Sequence, residues 1–182
     1  MATIILTGAS GSGKSMIENE LTNYGYKKII SYTTRNPRIG EKNGKDYWFI
    51  NNDTFKEMLD EGLFAEYEEY SQGRFYGTLK SDYVEGNNVA VLTPNGIRQV
   101  KRNLPNTDIY SVLVNADLGT RMLRYINRIG SDKFTYDDKN ELCSRTDRDF
   151  GMFLGMDKEV YLVVENNYNK NIKDVVSDIL DA

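Results

Sequence analysis

Eight consecutive residues, Gly8-Ala9-Ser10-Gly11-Ser12-Gly13-Lys14-Ser15, concentrate the residue types needed to hold a phosphate chain. They satisfy the pattern G-x-x-x-x-G-K-[ST] at every position, between the apolar run Thr3 to Thr7 and a helical pattern that starts at Lys14. Gly8, Gly11 and Gly13 lack a Cβ, so the backbone can take positive φ and turn its N–H groups inward around an anion. The helix that follows adds its unsatisfied first amides and the positive end of its dipole. Lys14 supplies a mobile point charge for the β- and γ-phosphates of a nucleoside triphosphate, and the Ser15 hydroxyl can reach the Mg²⁺ that travels with them. A glycine- and serine-rich surface turn that ends in lysine is the plain alternative, and it leaves the strand before and the helix after without a purpose.

A second anion site is written into the run from Ser31 to Ile50. Arg35 and Arg38 stand three apart around Pro37, two glycine turns follow, and an aromatic strand closes the run. Such a stretch makes a poor core and a good rigid loop for presenting two guanidinium forks. Further on, Arg121, Arg124 and Arg128 recur at helical spacing, and Arg145 and Arg148 share a face of the next helix. Like charges at that spacing repel by a few tenths of a kcal/mol per pair, a cost that an anion between them would offset. A solvated basic stripe is the equal alternative for any single arginine.

The rest of the chain narrows the chemistry. There is no histidine, so Ser-His-Asp, Cys-His and His-ligated metal chemistry are excluded, and catalysis must use Lys, Arg, carboxylates and a metal. The 182 residues suffice for one sizeable core, and a hydrophobic fraction of 40% is that of a folded domain. The lone Cys143 leaves no disulfide framework. A net charge of −4 gives no reason to expect a nucleic-acid partner. No apolar run approaches the length of a membrane span, so the expectation is a cytoplasmic protein without a membrane partner. Its oligomeric state is left open.

Positioning these groups requires an alternation of strands and helices. Strands are expected at Thr3 to Thr7, Lys27 to Tyr32, Asn88 to Thr93, Thr107 to Asn115 and Glu159 to Glu165. Helices are expected from Lys14, from Pro94, from Asp117 and over Asn169 to Leu180. Between them, Asn52 or Asp53 caps a short helix that Gly62 ends, and Phe64 to Tyr70 pairs with Arg74 to Leu79 across Ser71-Gln72-Gly73. The expected fold is therefore α/β, a parallel sheet covered by helices, with a small mixed α/β lobe and a helical lid.

At Ser31 to Phe49 the chain resembles guanylate kinases, whose pattern S-x-T-T-R-x-P-R-x-G-E-x-x-G-x-D-Y-x-F is matched at each defined position. Phe64-Ala65-Glu66-Tyr67 is similar to the family's F-x-E-[WY], and Tyr76-Gly77-Thr78 to its Y-G-[ST]. The resemblance implies that Arg35, Arg38, Tyr47 and Tyr76 grip a nucleoside monophosphate, that Glu66 reads the guanine edge, and that Ser31 and Thr78 sit beside O6. It further implies that lid arginines matching Arg124, Arg128 and Arg145 act with Lys14 and Arg35 in catalysis, with Gly130 to Asp138 mobile, and that Asn166 lies near the adenine. One kinase domain over 1–182 is expected, with core 1–32, 80–120 and 150–182, monophosphate lobe 33–79 and lid about 121–149.

The chain departs from the family at its D-x-D, where Val91 and Thr93 stand. The resemblance assigns the first acid to Mg²⁺ and the second to the base, so the acceptor's base is the open point. The expected activity is transfer of the ATP γ-phosphoryl group to GMP or dGMP. A kinase for another phosphorylated acceptor and a non-catalytic binding module are the alternatives, and the intact phosphate loop speaks against the latter.

Overall fold

The computed structural model describes residues 2–38, 40–71 and 73–182, without the side chain of Ser71; Gln72, in the expected hairpin turn, lies outside the described residues. In chain order the elements are β1 (Thr3–Thr7), α1 (Lys14–Thr22), β2 (Lys27–Lys28), β3 (Tyr32–Thr33), β4 (Trp48–Phe49) and α2 (Asn52–Asp60). There follow β5 (Phe64–Ser71), β6 (Arg74–Leu79), β7 (Asn88–Val91), α3 (Pro94–Asn103) and β8 (Ile109–Asn115). The chain ends with α4 (Leu118–Ile129), α5 (Tyr136–Phe153), β9 (Leu162–Glu165) and α6 (Ile172–Leu180).

Two compact units emerge, Met1–Ile4 with Tyr26–Ile109 and Ile5–Gly25 with Tyr110–Ala182, and β1 runs from the first into the second. The strand order is β2-β7-β1 in the first and β1-β8-β9 in the second. β2 pairs with β7 and β8 with β9 in parallel. Every residue of β1 is buried, as expected of a strand covered on both faces. In the second unit Ile17 and Leu21 of α1 and Val175, Val176 and Ile179 of α6 form the core.

The first unit carries a second sheet in the order β4-β3-β6-β5, with β3 antiparallel to β6 and β6 antiparallel to β5. Its two faces differ in chemistry. On one, Phe55 of α2 is 1% exposed and stacks on Phe64 and Phe75 with ring centroids 4.4 and 5.3 Å away. A Cβ at Gly77 would come within 2.8 Å of the Phe64 ring, so glycine makes room for that stack. On the other face, register pairs Glu66 with Thr78, Glu68 with Tyr76, and Tyr76 with Thr33. Phe64 and Glu66 lie two residues apart yet on opposite faces, because the register shifts by a bulge between them.

Several boundaries differ from expectation. The strand expected over Lys27 to Tyr32 is divided: the Ile29 N–H bonds Val89 O in one sheet, whereas Ser31 O already accepts from Trp48 in the other. The cap of α2 is Asn51, whose side chain accepts from Thr54 N, rather than Asn52 or Asp53. β7 stops at Val91 because Thr93 becomes the N-cap of α3, accepting from Gly96 N at 3.0 Å. The strands β8 and β9 begin later, at Ile109 and Leu162, and α6 begins at Ile172 behind Asn171. Tyr136 to Asp138 form the first turn of α5, held by a capping box between Thr135 and Asp138.

Candidate active site

In the second unit the phosphate loop follows β1 into α1. Gly8, Gly11 and Gly13 have φ of 146, 80 and 97°, and a Cβ would strike the Val114 carbonyl oxygen at Gly8 or the Asn166 amide at Gly13. The loop is therefore closed by backbone packing that only glycine permits. Lys14 Nζ donates to Gly8 O at 2.7 Å and Ala9 O at 3.0 Å, curling back over the loop. Burial pushes the Lys14 ammonium down to about 8, with Asp149 opposing the shift and Arg121 adding to it.

Asp149 of α5 is 4% exposed and takes the Ser10 backbone N–H at 2.6 Å. Its carboxylate is also 3.6 Å from Arg121 and 3.7 Å from Arg148. An anion thus already rests on a loop amide, in the setting that a phosphate oxygen requires. Ser12 Oγ and Arg121 Nε are buried in the same unit and have no hydrogen bond among the described residues. A cavity of about 400 Å³ opens here, lined by Ala9, Ala116, Arg121, Asp149, Phe150 and Phe153 among others.

The remaining expected donor-side residues divide into two groups. Arg124 donates to Gly11 O and Ser12 O at 3.2 and 3.1 Å, and Asn166 donates to Ser12 O at 2.8 Å, so both brace the loop. Arg128 and Arg145 instead lie over the ring of Tyr125, 5.2 and 5.6 Å from its centroid, and Arg145 pairs with Glu141. Ser15 is exposed. Its hydroxyl has no hydrogen bond among the described residues, and these include no cluster of three acidic or thiol ligands. That donor set fits an Mg²⁺ held mainly by nucleotide phosphates with Ser15 as its single protein ligand.

In the first unit Arg35 makes a bidentate pair with Glu41, both contacts 2.6 Å, and lies over Tyr47 at 4.9 Å and Phe49 at 5.5 Å. Hydrogen bonding to Arg35 draws the Glu41 carboxyl down to about 2 and raises the guanidinium in turn. Glu41 also accepts the Arg38 backbone N–H at 2.7 Å, which sets the loop between the two arginines. The Arg38 guanidinium is exposed and donates no hydrogen bond among the described residues. Tyr47 and Tyr76 meet edge to face at 5.8 Å beside the Arg35 fork.

Farther along the same sheet face, Tyr83, Thr78 and Glu66 form a buried chain. Thr78 Oγ1 donates to Glu66 Oε1 at 2.9 Å and lies 2.8 Å from the Tyr83 hydroxyl. Glu66 is 6% exposed, and burial pushes its carboxyl up to about 7, with the Thr78 hydrogen bond opposing and Glu68 adding to the shift. Ser31 is half-buried and its hydroxyl is unbonded among the described residues. Thr93 donates to Glu68 at 2.8 Å.

Asp149, Glu68 and Tyr83 are the site residues that sequence reasoning did not single out for a role. The alternation Arg145-Thr146-Asp147-Arg148-Asp149 offered two acids beside arginines, and nothing in it marks Asp149 over Asp147. Glu68 shares its strand face with Glu66, which alternation along β5 signals once the bulge is known.

A parallel sheet whose first strand feeds a phosphate loop, with an arginine-bearing anion loop in the same chain, defines a phosphate-loop phosphotransferase. A guanylate kinase family model matches residues 1–179. A guanylate kinase of Lactobacillus acidophilus is 33% identical over 98% of this chain and 87% of its own length. The chain belongs to the guanylate kinase family. The crystal structure of guanylate kinase from Anaplasma phagocytophilum superposes with a TM-score of 0.68 at 20% identity, covering 99% of this chain and 82% of that one. That of a gluconokinase from Sinorhizobium meliloti gives 0.57 at 14% identity, covering 99% and 90%. At such identities these two likenesses speak for the fold.

Proposed function

We propose that the chain transfers the γ-phosphoryl group of ATP to GMP or dGMP, directly and in line. The observation that carries this reading is the buried Glu66–Thr78 pair on the same sheet face as Arg35, in a chain with an intact phosphate loop. An ionised carboxylate accepts two parallel N–H donors, which guanine presents and adenine does not. Arg35, Arg38, Tyr47 and Tyr76 hold the acceptor phosphate, and Ser31 and Thr78 sit beside O6. Gly8 to Ser15 hold the ATP phosphates, with Lys14 neutralising charge as it leaves the γ-phosphoryl group. Mg²⁺ supplies further charge neutralisation when bound. Arg124, Arg128 and Arg145 belong to the lid of about 121–149, and the lobe of 33–79 brings the acceptor. Catalysis is then positioning and electrostatics in a closed, dry site, and no covalent enzyme intermediate is required. No helix among the described residues is long and apolar enough to cross a membrane, in keeping with work on the nucleotide pools of the cytoplasm.

A second reading, a different phosphorylated acceptor, is favoured by Val91 and Thr93 in place of acids. Phosphate transfer from ATP to GMP, dGMP, IMP, AMP, dTMP and a ribose bisphosphate separates the two. Turnover confined to the guanine nucleotides is the expected result. Lys14→Ala should lower kcat on the order of a thousandfold, about 4 kcal/mol of barrier; a loss below about tenfold would exclude the mechanism.

A further inference from the structure

One carboxylate of the acceptor face has no part in the reading above. Glu68 follows Glu66 by two residues on β5, past the bulge, so both side chains lie on the polar face of the sheet. Two donors hold it: Thr93 Oγ1 reaches Glu68 Oε2 at 2.8 Å and Asn95 Nδ2 reaches Oε1 at 2.7 Å. Both belong to the start of α3, whose N-terminus favours negative charge. A surface glutamate on a strand needs no such grip from a neighbouring helix.

The carboxylates are close enough that Glu68 raises the proton affinity of Glu66. Like charges brought together in this way are stabilised when N–H donors come between them. Independently, Glu66 has an unused acceptor. Oε1 takes the Thr78 hydroxyl, but Oε2 of this residue, 6% exposed, takes no side-chain donor among the described residues. That oxygen looks toward Gly96, where a Cβ would come within 3.1 Å of it, so glycine keeps the space beside it open.

An ionised carboxylate has about four acceptor positions, and Glu68 spends two of them on Thr93 and Asn95. Guanine offers three N–H bonds along one edge, one at N1 and two at the 2-amino group. We propose that Glu68, held by Thr93 and Asn95, is a second base-reading residue that accepts from the 2-amino group while Glu66 takes the N1 side. This rests on the guanine-nucleotide reading of the acceptor site. Hypoxanthine keeps N1–H and O6 but lacks the 2-amino group, so it engages Glu66 and leaves Glu68 without a partner.

The test compares GMP with IMP, by kcat/KM at saturating ATP and by calorimetric binding, for wild type, Glu68→Gln, Thr93→Val and Glu66→Gln. Glu68→Gln should lower kcat/KM for GMP about tenfold, the scale of one hydrogen bond to a charged group, chiefly through KM. It should leave IMP within about twofold. Thr93→Val, which releases one tether, should shift the GMP-to-IMP preference in the same direction by less, and Glu66→Gln should weaken both nucleotides. Equal losses for GMP and IMP in Glu68→Gln, or no loss for either, overturn the proposal. If wild type binds GMP with this Glu68 dependence yet does not phosphorylate it, base reading by Glu68 stands and the transfer reading falls. If wild type binds neither nucleotide, both fall.

Discussion

Replacing Asp149 by asparagine should tighten ATP binding. The Asp149 carboxylate holds the Ser10 N–H at 2.6 Å, and a phosphate oxygen that takes this amide must first displace it. A hydrogen bond to a charged acceptor is worth about 1.5–3 kcal/mol, and one between neutral groups about 0.5–1.5 kcal/mol. The asparagine oxygen can still accept from Ser10, so the substitution removes the difference, about 1–1.5 kcal/mol, or a factor of about 5 to 12 in Kd. Release of Arg121 and Arg148, whose pairs with Asp149 span 3.6 and 3.7 Å, adds in the same direction. The pH of the measurement matters. Asp149 raises the proton affinity of Lys14, which stands at about 8, so its neutralisation lets the ammonium discharge at lower pH. The gain should therefore be full near pH 6.5 and shrink as pH rises toward 8. Calorimetric titration with a non-hydrolysable ATP analogue and Mg²⁺, at two pH values, reads both effects. An unchanged or weaker affinity near pH 6.5 would refute the view that this carboxylate occupies a phosphate position.

Glu66 gives a second pH signature: its carboxyl stands at about 7 in the free protein, and guanine N–H donors select the ionised form. kcat/KM for GMP should rise about tenfold per unit below pH 7 and level off above it, and Glu66→Gln should lose this component while keeping any titration of the GMP phosphate. The raised value also means that the native state holds a proton the unfolded chain releases, so this group's contribution to stability declines as pH rises from 4.5 to about 7. Melting scans with and without GMP should show the nucleotide stabilising more at pH 8 than at pH 6. Gly13→Ala should destabilise the protein by at least the strain of a left-handed alanine, about 1–3 kcal/mol, because its φ is 97° and the new Cβ meets the Asn166 amide. Phe55→Ala, which empties the stack between α2 and the second sheet, should cost about 3–5 kcal/mol in denaturant unfolding, with KM for ATP the least affected kinetic constant.

What could be read from the chain alone follows the range of the interactions concerned. The phosphate loop is contiguous, and its glycines answer to backbone geometry within a few residues, so residue types and spacing suffice. The Arg35–Glu41 pair is also local, six residues apart in one loop, but the spacing of Arg35 and Arg38 announces only an anion site and not the carboxylate that takes the Arg35 fork. Caps are local too, yet Asn51-Asn52-Asp53 offers three candidates in a row, and only the turn of the backbone selects Asn51. Ile29-Ile30 reads as continuous strand because hydrophobicity does not record which sheet a residue enters, and the ladder changes partners between Ile29 and Ser31. The meeting of Asp149 with Ser10 spans 139 positions and depends on where α5 lies, so no pattern in either segment announces it. The acceptor face was hidden for a subtler reason. Period-two reading places Phe64, Glu66 and Glu68 on one side, whereas the bulge before Glu66 sends Phe64 into the aromatic core and turns both acids to the opposite face. One inserted residue thus separates the packing half of β5 from its recognition half. The bulge that obscures the pattern is also the feature that lets a short strand supply a core aromatic and two carboxylates to opposite faces of the sheet.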